Sequence, residues 1–305
     1  MKPLRIGARS SLMSLAQTAP VLARLSSTPT ILHPFSGAGG DRLVERAELD
    51  ADGAFSKEIE AALLTGEIDV AVHCLKDLPA HDTPGLETGL YLRRDDPRDC
   101  LVTREAGLTL ETLPAGTVIG TSSVRRTAAL LSYRPDIEVV PMRGPVDQRL
   151  RALGPDSLSD VDALVVATCS MERLGLTHRI AQKIHPEIIC PPLGAAVIAL
   201  QIREGDTKTR KRIFKLHDTD TEIEVEAERL ILREMEGHCN AALAGYCTTS
   251  QMNGATLYTV RARVFTPDGS TVIEVRDTSD DASESAMKVC ERLTRHGARE
   301  LREAV

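Results

Sequence analysis

The sequence predicts two α/β domains with largely parallel sheets, followed by a small α+β domain. Two patterns carry this. Short apolar runs alternate with segments of helical period through most of the chain, and the tail then switches to strict apolar–polar alternation around a Pro-Asp-Gly turn. With 305 residues, 42% of them hydrophobic and 27% charged, the chain is long enough for two or three domains with separate cores.

"LRIGA" (4–8) reads as a strand, Ser10 to Arg24 as a helix and "TILHPF" (30–35) as a second strand. In "FSKEIEAALLTG" (55–66), Ile59, Ala62 and Leu63 share one helical face that ends at Gly66. "IDVAVHC" (68–74) follows as a buried strand, stopped by Pro79. A similar block comes next: strand "TVIG" (117–120), helix "SSVRRTAALLSY" (122–133), strand "IEVVPM" (137–142), helix "VDQRLRAL" (146–153), strand "DALVVAT" (162–168), then "SMERLG" (170–175). There is no fixed-period repeat. "LYTVRARVFTPDGSTVIEVRD" (257–277) is an antiparallel hairpin, and a helix is expected from about Asp281 to Arg302. The expected domains are 1–95 with 195–218, then 96–194, then 219–305.

Bulk properties exclude several classes. A formal net charge of −7 argues against a general nucleic-acid binder, which needs a basic surface. No apolar run approaches a membrane span, and the N-terminal segment lacks the apolar core of a signal peptide, so a cytoplasmic location is expected. Seven cysteines, none in a Cys-x-x-Cys pair, fit reduced thiols. His238, Cys239 and Cys247 are too poorly spaced for a zinc site, and no metal is expected. Cys239 itself, two residues past Gly237, stays open at this point between a packed thiol, a redox centre and an attachment point.

The residues that suggest chemistry stand where strands end and helices begin, the places at which doubly wound sheets bind ligands. "GTSSVRR" (120–126) puts Ser122 or Ser123 at a helix N-cap and Arg125 and Arg126 in its first turn. The helix dipole prefers acidic residues there, so an anion is the natural partner of the pair. Arg143, Arg149 and Arg173 follow comparable strand ends, and guanidinium suits planar carboxylates because it forks two parallel hydrogen bonds onto them. "VHCLKDLPA" (72–80) brings Lys76 and Asp77 to another strand end, either as a surface pair or as a carboxylate able to stabilise a cation or move a proton.

The stretches "LRIGARSS", "FSKEIEAALLTGEIDVAVHCLKDLP", "RRDDPRDCLV", "IGTSSVRR", "RPDIEVVPMRG", "RLGL" and "AERLILREMEGHC" stand in an order and spacing similar to the hydroxymethylbilane synthase (porphobilinogen deaminase) family. The resemblance runs over nearly the whole chain. It implies two periplasmic-binding-protein-like α/β domains and a small third domain whose loop cysteine carries a dipyrromethane primer. The implied reaction joins four porphobilinogen units head to tail with loss of ammonia, giving hydroxymethylbilane for tetrapyrrole (haem) synthesis in a monomeric enzyme.

Carried over by position, Cys239 holds the dipyrromethane through a thioether, and Asp77 is the catalytic carboxylate. Lys76, Ser123, Arg125 and Arg126 bind the primer's acetate and propionate groups, and Arg9, Ser11, Arg143, Arg149 and Arg173 bind those of the incoming and growing pyrroles. The chain departs from the family pattern at Asp52 (usually Lys), Cys74 (Ser), Pro145 (Asn), Gln148 (Thr), Ser170 (Gly), Ala195 (Gln) and His238 (Gly). These departures raise two alternatives: a paralog that makes a shorter or differently released oligopyrrole, and a non-catalytic binder of anionic ligands.

Overall fold

In the computed structural model, residues 2–36, 56–154, 157–237, 242–266 and 268–303 are described. The chain divides into two compact units, 1–95 with 196–223 and 96–195 with 224–305.

The first unit contains β1 (Leu4–Arg9), α1 (Leu12–Arg24), β2 (Thr30–Phe35), α2 (Lys57–Leu64), β3 (Val70–Cys74) and β4 (Leu86–Tyr91). The second begins with β5 (Asp99–Thr103), β6 (Val118–Gly120), α3 (Val124–Tyr133), β7 (Glu138–Val140), α4 (Val146–Arg151), β8 (Ala163–Ala167), α5 (Thr168–Arg173) and β9 (Gln182–Lys183). The chain then returns to the first unit for β10 (Ile198–Arg203) and α6 (Thr207–Ile213), and α7 (Thr219–Glu234) leads out of it again.

The first sheet has the order β2-β1-β3-β10-β4 and the second β7-β6-β8-β5-β9. The two orders follow one plan. In each, three parallel strands are joined on one side by a single antiparallel strand, β10 or β5, which lies between the third strand and the last. That strand is the first one formed after the chain enters the unit from the other. Both units are therefore doubly wound α/β sheets, as the sequence predicts.

Burial on both faces explains the continuous apolar runs. In β8, Ala163 and Val165 join a core with Leu101, Ile119 and Leu130, while Leu164 and Val166 join another with Val102, Leu150 and Met171. In β3, Val70 and Val72 pack with Leu4, Ile6 and Val21, and Ala71 packs with Ile59 and Leu63 of α2. Pro34 is tolerated in β2 because that strand is an edge.

The tail forms a three-stranded antiparallel sheet, β11 (Leu243–Met252), β12 (Ala255–Phe265) and β13 (Val272–Ser279), with α8 (Ala282–Arg295) and α9 (Ala298–Glu303). The expected hairpin is present, and β11 adds a second one through Asn253 and Gly254, both at positive φ. The expected single C-terminal helix is instead two, divided at Gly297 with φ 77°. Asp281 caps α8 by accepting from the Ser283 and Glu284 amides at 2.8 and 3.0 Å. Ala242, Ala244 and Phe265 enter the same core as Leu101 and Ile119, so this small sheet packs against the second α/β sheet within one unit.

Helix α7 ends in a Schellman motif. Gly237 donates its amide to the Leu232 carbonyl at 2.8 Å and Glu236 donates to Arg233 at 3.0 Å. The left-handed residue is Glu236 (φ 50°), not Gly237. Gly237 is needed for a different reason, since a Cβ there would lie 2.8 Å from Leu232 Cδ1 and 2.9 Å from Leu243 Cδ2. Glu236 is exposed, so Glu236→Gly removes left-handed strain without losing packing. Chemical unfolding should show a gain of about 1 kcal/mol; Glu236→Val should show a loss.

Candidate functional site

In the first unit, β1 and β3 deliver their carboxyl ends to one cavity. Arg9 closes β1, and Ser11 caps α1 by accepting from the Ser14 amide at 3.3 Å. Cys74 closes β3, and Lys76 and Asp77 lie on the 3₁₀ turn Leu75–Asp77 that follows. Arg9, Ser11, Gln17, His73, Cys74 and Asp77 line this cavity. Among the described residues neither Lys76 nor Asp77 has an ion-pair partner, so they are not the surface pair that the sequence left open.

His73 is a further ionisable residue lining this cavity that the motifs do not single out. It is 7% exposed, and burial pushes its pKa down to about 4 against the opposing pull of Glu60 and Gln201. The imidazole is therefore neutral beside Asp77. Glu60, equally buried, accepts from Gln201 Nε2 and Thr83 Oγ1, both at 3.0 Å.

In the second unit the helix α3 starts at Ser123, whose Oγ accepts from the Arg126 amide at 3.5 Å, which settles the N-cap between the two serines. Arg125 and Arg126 are both buried on the carboxylate of Asp99 at the start of β5. Arg125 Nη2 donates to Oδ2 at 2.7 Å and Arg126 Nη2 to Oδ1 at 2.6 Å. Arg125 also donates to the Cys190 carbonyl at 2.5 Å and Arg126 to the Val165 carbonyl at 3.1 Å. Burial works to raise the Asp99 carboxyl, but the two guanidiniums overcome it and hold it below the ordinary carboxylate range. Arg149 on α4 is different: burial, and then repulsion by Arg126, push its pKa down to about 10, with no acid offsetting them. The Nε atoms of Arg126 and Arg149 are buried without a partner among the described residues. Arg143 follows β7 and Arg173 ends α5, also on the carboxyl side of their strands.

The chain matches the family model for the porphobilinogen deaminase dipyrromethane cofactor binding domain over residues 4–211 and that for the C-terminal domain over residues 222–295. It belongs to the porphobilinogen deaminase family. It is 40% identical over 98% of its length to porphobilinogen deaminase 2 of Streptomyces coelicolor, covering 96% of that protein. Identity to porphobilinogen deaminase of Syntrophotalea carbinolica is 39% over 89% of the chain and 85% of the relative; for Shouchella clausii it is 37% over 100% and 98%.

The cofactor of this deaminase family carries acetate and propionate carboxylates, and the donor set present suits such a group. Arg126 and Arg149 offer buried N–H groups without acceptors, next to a helix N-terminus. Cys239 and His238 lie outside the described residues, as does Asp52. The other departures are mild. Pro145 is the N-cap residue of α4, where no backbone N–H is needed, and Gln148 is exposed. Ser170 lies within α5, Ala195 is buried, and Cys74 replaces a hydroxyl with a weaker hydrogen-bonding thiol in the cavity.

A depressed histidine pKa stabilises the fold above the unfolded value of 6.5 and loses that contribution as pH falls toward 4. Wild-type stability should therefore drop by about 3 kcal/mol across this window. His73→Gln should flatten that part of the profile, as read by urea unfolding at pH 4, 5, 6 and 7.

Proposed function

We propose that this chain is a hydroxymethylbilane synthase-type transferase that deaminates porphobilinogen and joins four units head to tail. The observation that carries this reading is Asp77, without an ion-pair partner among the described residues and sharing one cavity with Arg9 at the carboxyl ends of β1 and β3. When bound at Cys239, the dipyrromethane supplies the nucleophilic pyrrole carbon on which the chain grows.

The protein's own residues divide the remaining work. Asp77 accepts a hydrogen bond from the protonated aminomethyl group of porphobilinogen. As the carbon–nitrogen bond breaks and ammonia leaves with the electron pair, the Asp77 carboxylate faces the positive charge left on the substrate. Arg9 and Ser11 hold the substrate's acetate and propionate. In the second unit Ser123, Arg126 and Arg149 hold carboxylates, Arg143 and Arg173 add positive charge at the strand ends, and Arg125 supports Arg126 through their shared Asp99; in the first unit Lys76 adds a cation beside Asp77. Each added pyrrole brings two carboxylates, so the number of arginines matches a product whose charge grows with length.

We read the enzyme as a cytoplasmic monomer. Burial raises Cys100 and Cys190 to about 12 and Cys290 to about 11, so these thiols stay protonated and unpaired, as suits a reducing compartment. No helix among the described residues is long and apolar enough to cross a membrane.

Asp77→Asn should lower porphobilinogen consumption by at least about 100-fold while circular dichroism stays unchanged. Normal turnover would remove Asp77 from the mechanism. Intact mass of protein from porphobilinogen-producing cells should exceed the sequence mass by one dipyrromethane, and Cys239→Ser should lose the adduct. Product mass after incubation with porphobilinogen should be that of a linear tetrapyrrole; a shorter oligopyrrole would favour the diverged paralog instead.

A further inference from the structure

The terminal nitrogens of Arg125 and Arg126 are turned inward. Of the four, two are on Asp99, one is on the Cys190 carbonyl and one on the Val165 carbonyl. Asp99 is 1% exposed and uses one oxygen for each guanidinium. The clamp thus joins four parts of the second unit: β5, β8, α3 and the segment around Cys190. Two cations on one carboxylate leave a net positive charge, and Arg149 beside Arg126 adds another. A buried excess of positive charge with two Nε donors unpartnered among the described residues suits an anionic ligand.

We propose that Asp99 is a positioning residue for carboxylate recognition: it fixes the Arg125 and Arg126 guanidiniums so that Arg126 Nε and Arg149 present their donors to a carboxylate of the pyrrole chain. The geometry follows from the fork shape of arginine. With both Nη atoms of Arg126 held by Asp99 and Val165, the plane of the guanidinium is set, and the direction of its remaining N–H is set with it. An arginine free to rotate would have to be ordered by each ligand, which weakens binding.

Two accounts of Asp99 differ in the sign of their effect. If the carboxylate only offsets positive charge, Asp99→Asn leaves the site more positive and tightens binding of an anionic ligand, while Asp99→Glu changes little. If it positions the arginines, both variants weaken binding, because neither can hold two forks at the native distances. The inference rests on the porphobilinogen reading, so the wild type is assayed alongside: failure of the wild type to consume porphobilinogen defeats that reading and leaves the variants' cofactor loading as the test of Asp99.

The experiment compares full-length wild type, Asp99→Asn and Asp99→Glu for dipyrromethane loading by intact mass, and then for KM and kcat with porphobilinogen, with circular dichroism as the folding control. For a folded variant, positioning predicts a loaded fraction reduced several-fold and KM raised at least tenfold, with kcat falling less than KM rises. Unchanged or lower KM with full loading overturns the proposal. So does the loss of folded protein in both variants, which assigns Asp99 to the fold alone.

Discussion

Each sheet depends on one antiparallel strand that arrives from the other unit. β10 lies between β3 and β4, and β5 between β8 and β9; without them each trio of parallel strands has an open edge of unpaired amides. This constraint determines much else. Because the chain must enter and leave each unit, the crossing segments are pinned by backbone bonds, including Leu92 to the Ile198 carbonyl at 3.0 Å and Asp95 to the Ala196 carbonyl at 3.1 Å. The parallel strands end freely on their carboxyl side, and Arg9, Asp77, Ser123, Arg143 and Arg173 all follow such ends.

Buried charge is used sparingly and in fixed geometry. Glu228, fully buried on α7, accepts the amides of Gly194 at 2.6 Å and Cys247 at 2.8 Å, tying the helix before residue 239 to the strand after it and to the segment 191–195. Asp99 does the same for two arginines. Removing ions from water costs more than most ion pairs return, so such groups are better understood as specifying one arrangement than as sources of stability. Exposed pairs such as Glu284–Lys288 contribute little by comparison.

Much of the candidate site is visible in the sequence, because its residues follow strands whose apolar runs are easy to read. "VHCLKDLP" and "GTSSVRR" show an acid, a lysine and two arginines at strand ends, and the structure puts them there. What those side chains touch is less visible. Asp99 stands in "RRDDPRDCLV" among five other charged residues that look solvated, yet it alone is buried between two guanidiniums. His73 reads as part of a buried strand, and nothing local shows that it faces the Asp77 cavity as a neutral base. Asn253–Gly254 was a readable turn signal for β11, whereas β4, β5 and β10 are short runs whose partners are distant in sequence.

The sequence by itself determined the alternating α/β plan, the antiparallel tail and the family, since these depend on local period, turn chemistry and motif order. Only the tertiary structure decided that Arg125 and Arg126 share Asp99, that Arg149 is left without an acid among the described residues, and that Glu236 rather than Gly237 takes the left-handed turn at the end of α7. The reason is physical: a charge's partner and a backbone's strain are set by which segments are brought into contact, and those contacts join residues far apart in the chain.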